Sequence, residues 1–195
     1  MATPPARLET PRLVLRPFAA ADAPDIQRLA GEPEVARSTA DLPFPFELEL
    51  AVAWLATQEA LREEGRMYAF GLEEKAAPGV LVGAIGLTVE PEHRRAELGY
   101  WLGRPWWGKG YATEAGGAML AFAFGDLGLE RVFANHLAAN ERSGAVLRRL
   151  GFRAEGRFRR HVRRFGAVDD LDWYGLLRAE WAAAASGADE PTPRP

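Results

Sequence analysis

Between Met67 and Gly103 the chain sets three strand-like runs end to end: MYAFGLEE (67–74), VLVGAIGLTVE (80–90) and RRAELGYWLG (94–103). Each is rich in aliphatic, β-branched and aromatic residues. Turn-forming segments, AAPG (76–79) and PEH (91–93), separate them, as expected for strands joined by tight connections. Connections this short cannot carry the crossover that parallel neighbours need, so the three runs form an antiparallel meander. Whatever else the chain does, it must cover the faces of that sheet.

The flanking sequence supplies the covering elements. RLVLRPF contains a short strand at Leu13–Leu15 closed by Pro17, and Asp22 caps a helix running to about Leu29 by accepting from first-turn amides. LPFPF (42–46) is too proline-rich for regular structure. A helix over Glu47–Glu64 follows, with Leu50, Trp54, Leu55, Gln58 and Leu61 at helical spacing and Gly65 as its stop. After the meander come a helix from Tyr111 to Asp126 that stops near Gly128, a strand at 131–137 and a helix at 141–149 capped by Asn140. A closing strand pair, 152–165 and 170–181, surrounds the turn GAV. From Ala182 the residues AAAASGADEPTPRP lack large apolar side chains and read as a disordered tail. The order β-α-α-β-β-β-α-β-α-β-β is that of one mixed α/β domain.

Composition removes several function classes. The 195 residues include no cysteine, which excludes a disulfide framework, a thiol nucleophile and cysteine-ligated metal. The three histidines, His93, His136 and His161, have no metal-ligand spacing with carboxylates, so no metal is expected. A formal charge of −3 argues against nucleic acid as the main partner. No run approaches the roughly 18 apolar residues of a membrane span. MATPPARLETPR carries charges and prolines where a signal peptide needs an apolar stretch. A soluble cytoplasmic protein is expected.

The segment PWWGKGYATEA (105–115) joins the last meander strand to the central helix. The first amides of a helix are unbonded and its N-terminus is partially positive, so anions bind there. Gly108 and Gly110 let the backbone approach a ligand, and Lys109 adds a positive charge. The physical reading is a pyrophosphate cradle, set against a plain glycine-rich connection with both tryptophans packed on the core. It is neither a Walker loop, because Gly110 follows Lys109, nor a dinucleotide fingerprint, because the third glycine is absent. Gly99 and Gly103 interrupt the preceding strand, a sign of a bulge or close ligand approach.

Four blocks, ETPRLVLRPF (9–18), AELGYWLGRPWWGKGYATEA (96–115), NERSGAVLRRLGF (140–152) and AEG (154–156), together resemble the GNAT superfamily of acetyl-CoA-dependent N-acetyltransferases. Within it they are similar to the RimJ/RimL branch, which acetylates ribosomal protein N-termini. The resemblance spans about Glu9 to Trp181 and implies an acetyltransferase domain over 9–181 with a tail at 182–195. It implies a mixed α/β fold whose mostly antiparallel central sheet has splayed middle strands and helices on both faces. It further implies that Trp107, Gly108, Lys109, Gly110, Tyr111, Ala112 and Thr113 hold the coenzyme pyrophosphate. Pro105 stands where the family pattern has Gln or Arg. Trp101 and Leu102 on one strand, with Ala134 and Asn135 on the other, would flank the pantetheine arm. Unpaired backbone groups of Trp101 and Leu102 would bond it, a bulge near Gly99 would spread the strands, and Asn140 would reach the arm from its helix cap.

Acetyl transfer to an amine needs a neutral amine, a stabilised oxyanion and a proton for the departing thiolate. Ser143 resembles the serine that RimL-type enzymes place near the sulfur and is assigned as proton donor, against the alternative of a plain first-turn serine. The tyrosine that many family members carry four residues before the Gly of GF is Leu147 here. Glu97 is the first candidate base; strand alternation puts it on one face with Gly99 and Trp101, and the alternative is a solvated strand glutamate. His161 is the second candidate. With no strong base in view, an α-amine, about a tenth neutral at pH 7, suits the site better than a lysine. The run Arg157, Arg159, Arg160, His161, Arg163, Arg164 is either a solvated strand face or a contact for phosphate, acidic substrate or ribosomal RNA. LPFPF either shapes the acceptor pocket or anchors the core. The expected activity is N-acetylation of a protein N-terminus or a small-molecule amine by a monomer or homodimer. The alternative is a non-catalytic acyl-CoA-binding or ribosome-associated module.

Overall fold

A computed structural model describes residues 7–186. In chain order the elements are β1 (Leu8–Glu9), β2 (Leu13–Arg16), α1 (Ala23–Ala30), α2 (Pro33–Ser38), α3 (Leu48–Glu63), β3 (Met67–Glu74), β4 (Leu81–Glu90) and β5 (Arg95–Leu102). They continue with α4 (Tyr111–Ala121), β6 (Arg131–Leu137), α5 (Glu141–Arg149), β7 (Arg153–Arg164), β8 (Ala167–Leu177) and α6 (Arg178–Ser186). The strands form one eight-stranded sheet in the order β1-β2-β3-β4-β5-β6-β8-β7. The expected meander is β3-β4-β5, antiparallel throughout.

Among the described residues β5 and β6 are the one parallel pair, and they pair over only three positions, Arg95–Glu97 with Arg131–Phe133. Beyond Glu97 they part, which is the expected splay of the middle strands. The expected bulge at Gly99 is not its cause: the β4–β5 register runs unbroken through Gly86 opposite Gly99.

The two faces of the sheet are buried by different helices. On one, Tyr111, Ala115, Met119 and Leu120 of α4 pack with Leu147 of α5 against Leu15, Phe70 and Leu98 of the strands. On the other, Ile26 and Leu29 of α1 and Ala51 of α3 close over Leu81, with Trp54 and Trp101 at their margin. Both faces therefore end in apolar contacts, and removing a buried leucine from either typically costs about 2–5 kcal/mol.

Three departures from the sequence expectations have physical reasons. The segment after α1 forms the short helix α2, started by Pro33, whose fixed φ suits a first helical position. α4 continues through a π-helical turn, Phe122–Asp126, so the long central helix is irregular in its last turn. The final strand ends at Leu177, not Trp181, and Arg178–Ser186 are helical where a strand end and the first part of a disordered tail were expected. Alanine is the best helix former, the Glu180 carboxylate accepts from the Leu177 N–H, and Trp181 anchors the helix on Phe124 at 5.4 Å. The rest of the expected tail, 187–195, lies outside the described residues.

Candidate active site

The parting of β5 and β6 opens a cleft of about 580 Å3 that passes through the sheet. Trp107, Gly108 and Ala112 line one end, and Phe46, Leu50 and Trp54 line the other. Because β5 borders the gap, side chains from both of its faces reach the same cleft: Glu97 and Trp101 from one, Tyr100 and Leu102 from the other.

The loop before α4 is shaped as its glycines suggest. Gly108 has φ +74° and Gly110 φ +81°, the left-handed region that favours glycine. A side chain at Gly108 would meet no atom within 4 Å, whereas one at Gly110 would come 3.4 Å from the Arg12 guanidinium. The first amides of α4 at Tyr111, Ala112 and Thr113 have no helical partner by position. Lys109 is exposed. The loop is braced by the N-terminal segment, a connection the sequence reading missed. Arg12 donates to the Lys109 carbonyl at 2.9 Å and to the Glu114 carboxylate at 2.6 Å, and Thr10 Oγ1 donates to Glu114 at 2.6 Å. Trp106 packs at the junction of both cores. Trp107 borders the cleft and its indole N–H donates to the Leu102 carbonyl at 2.7 Å. The cradle is thus held open from outside and fits a pyrophosphate.

The Gly103 N–H donates to Val82 on β4. Antiparallel alternation from that bond turns the backbone of Trp101 toward β4 and that of Tyr100 and Leu102 toward the gap. The expected backbone contact from Trp101 therefore passes to Tyr100, while Trp101 offers its indole to the cleft. Since the Leu102 carbonyl already accepts from Trp107, its N–H is the group left facing the gap.

Glu97 sits half-buried on the cleft wall and accepts from Asn135 Nδ2 at 2.6 Å. Burial, with smaller contributions from the charges of Asp41 and Glu90, pushes its carboxyl above the ordinary range. Asn135 is thereby committed to Glu97. Asn140 caps α5, its Oδ1 accepting from the Ser143 N–H at 3.2 Å, while its Nδ2 donates to the Ser38 carbonyl at 2.7 Å. It borders the cleft and ties α5 to the C-terminal end of α2.

Ser143 Oγ lies 2.7 Å from the Tyr100 hydroxyl. Sequence reasoning passed over Tyr100, which alternation puts on the core-facing side of β5. Burial pushes its phenol up to about 12, so it stays protonated and able to donate. Leu147 is fully buried in the core. His136, also buried, bonds the Leu137 carbonyl through Nδ1 at 2.8 Å, and its Nε2 has no partner among the described residues.

His161, the second candidate base, is exposed on β7 with its ring 5.1 Å from Phe158 and does not line the cleft. The arginine run divides. Arg157 pairs with Asp172 at 2.6 Å. Arg164 turns inward and donates to the carbonyls of Ala36, at 3.1 Å, Ala40 and Leu42. Arg159 and Arg163 are exposed with no partner among the described residues. Phe46 of LPFPF lines the cleft, and Phe44 packs outside it at a tilt against Phe165, ring centroids 5.2 Å apart. Among the described residues no helix is long and apolar enough to cross a membrane, and no group of three His, Cys, Asp or Glu converges as a metal site.

Comparison with known proteins places this geometry. The family model for the acetyltransferase (GNAT) domain matches residues 12–153. The chain is 33% identical over 172 residues to the uncharacterised N-acetyltransferase YoaA of Bacillus subtilis (strain 168), covering 88% of this chain and 96% of that protein. It is 31% identical over 122 residues to the ribosomal protein uS5-alanine N-acetyltransferase of Escherichia coli (strain K12), covering 61% and 62%. Among solved structures, RimJ of Mycobacterium smegmatis in complex with CoA-disulfide superposes with a TM-score of 0.78 at 25% identity, covering 94% of this chain and 95% of that one.

Proposed function

The chain belongs to the acetyltransferase (GNAT) family, an acetyl-CoA-dependent N-acyltransferase, and from that premise we propose how its cleft divides the work and which amine it acetylates. The coenzyme pyrophosphate sits on the amides of 108–113, with the pantetheine arm in the gap between β5 and β6. The gap-facing N–H groups of Tyr100 and Leu102 are the donors for the arm and the developing oxyanion. Glu97, oriented by Asn135, takes the proton from the incoming amine, directly or through one water. Its raised carboxyl pKa makes it a stronger base than an ordinary glutamate.

The neutral amine nitrogen attacks the thioester carbonyl carbon and a C–N bond forms. The C–S bond breaks and the sulfur leaves with its electron pair. The N–H proton shed as the amide forms is the one that Glu97 takes; Ser143 protonates the sulfur and is reprotonated by Tyr100, and the site is restored when Glu97 gives its proton to water and Tyr100 takes one back from water. The acceptor is an α-amine or another amine of similar basicity, a terminus such as that named for the E. coli relative being one form of it.

The observation that carries this reading is the continuity of one cleft from the Gly108 cradle, past Tyr100–Ser143, to Glu97–Asn135. Saturating acetyl-CoA is expected to raise the Tm of the full chain, and a suitable amine to release free thiol. No thermal protection sinks coenzyme binding. Protection without transfer to any of a broad set of amines leaves a coenzyme-binding module instead.

A further inference from the structure

The far end of the cleft, on the α1–α3 face, differs in chemistry from the coenzyme end. Its walls are Phe46, Leu50, Trp54 and Trp101. Its charged side chains, Asp41 and Glu97, are both acidic and both line the cleft, so this end carries negative charge. Arg142, a cation on the cleft wall, belongs to the other end, lying 5.8 Å over the Trp107 ring. Arg164 stands behind the wall with its guanidinium occupied by three carbonyls. Those bonds and the Asn140–Ser38 bond hold the end of α2 and the loop after it, so the apolar wall is formed before any acceptor arrives.

Resting on the acyl-transfer reading above, we infer that the acceptor is a primary amine borne a few bonds from a bulky apolar group, aromatic or branched aliphatic, and not a polyamine, an aminoglycoside or an acidic compound. The acidic end attracts one ammonium as it approaches; a second ammonium finds aromatic rings instead of another anion. Sugar hydroxyls pressed on Trp54 and Leu50 lose water without gaining partners. A carboxylate beside the amine meets Asp41 and Glu97. An apolar side chain, by contrast, fills the wall, and in such pockets one methylene is worth about 10-fold or more in selectivity.

The test uses the full chain, saturating acetyl-CoA and a thiol-release assay on amines of matched basicity: glycinamide, alaninamide, leucinamide and phenylalaninamide, with spermidine and kanamycin alongside. The kcat/KM is expected to climb at least about 10-fold from glycinamide to leucinamide or phenylalaninamide. Leu50 is 43% exposed, so Leu50→Asp keeps the core intact, and it is expected to shrink that ratio. Tetrapeptides beginning with Leu or Phe separate the two sources of such an amine: a higher kcat/KM than the free amide assigns a polypeptide terminus, a lower one a small molecule. A flat series, or spermidine or kanamycin outrunning phenylalaninamide, overturns the inference while acyl transfer stands. Thermal protection by acetyl-CoA with no thiol release from any amine overturns both.

Discussion

The two ends of the cleft are built by different means. At the coenzyme end the chain does its work with backbone: two glycines at positive φ, a row of unbonded helix amides and a strand edge facing a gap. At the acceptor end the shape comes from side chains that reach across the fold. Arg164 on β7 grips carbonyls more than a hundred residues away, and Asn140 reaches Ser38 over a comparable separation. A backbone site suits a group common to all coenzyme A thioesters, whereas a side-chain site can be rebuilt for each acceptor without touching the cradle. Substitutions at one end should therefore disturb coenzyme parameters and those at the other amine parameters.

Gly110→Glu gives the largest effect. A side chain there must adopt a left-handed conformation, costing about 1–2 kcal/mol, and its charge opposes the pyrophosphate, typically by several kcal/mol more. At about 1.4 kcal/mol per tenfold, acetyl-CoA affinity measured by calorimetry should fall by roughly 10³-fold or beyond, whichever amine is present. Gly108→Ala isolates the conformational part, because a Cβ there meets open space. A Gly110→Glu protein that still binds acetyl-CoA tightly breaks the backbone account of that end.

Glu97→Gln comes next, with kcat/KM expected to drop about 100-fold, the low end for a lost general base. The Asn135 bond can survive, because the Gln carbonyl still accepts. Since burial raises the Glu97 pKa, the acid limb of the wild-type pH profile should lie above the usual carboxyl range and vanish in the variant. The stability sign is fixed by the same shift. A carboxyl with a raised folded pKa contributes stability that is fully present below its unfolded pKa and lost as pH rises through the folded one. Glu97→Gln should therefore gain stability relative to wild type across that window, read as Tm against pH, while acetyl-CoA affinity holds. A variant with an unchanged acid limb removes Glu97 from the base role.

Tyr100→Phe and Ser143→Ala test the middle of the cleft, where the ends meet. Each is expected to lower kcat about 10-fold, below the usual range for a fully lost acid because water can substitute. The double variant should lose little more than either single, since groups acting as a unit are non-additive. Fully additive losses would mean that the 2.7 Å contact is structural only.

What the sequence revealed follows the same division. The meander, the glycine cradle, the Asn140 cap and Glu97 are written in local patterns of a few residues, and those are what alternation, capping and glycine rules read. Tyr100 escaped because alternation makes opposite faces of a strand exclusive, a rule that holds only while both edges are paired. Once β6 leaves β5 after Glu97, Tyr100 and Glu97 line one cleft from opposite faces. Arg12 and Arg164 escaped for another reason: each looked like one arginine among many, and only the fold gives each a carbonyl to hold. The Ala182–Ser186 segment was misjudged because a shortage of large apolar residues was weighed above the helix propensity of alanine.

Arg164→Met and Arg159→Ala with Arg163→Ala, from one run of like residues, draw the comparison most finely. Arg164→Met leaves the Ala40 and Leu42 carbonyls short of a donor, while Ala36 keeps Thr39, and a buried acceptor losing its partner costs about 1–3 kcal/mol. The KM for the amine should rise several-fold, with acetyl-CoA affinity unchanged and a lower Tm. The paired substitution of Arg159 and Arg163 removes two exposed guanidiniums that touch nothing among the described residues. Surface changes of that kind usually stay within about 0.5 kcal/mol. Tm, kcat and both KM values should match wild type when a small amine is the acceptor. If the double variant instead loses turnover only on a ribosomal or acidic polypeptide, and added salt produces the same loss in wild type, the outer strand belongs to the acceptor end after all.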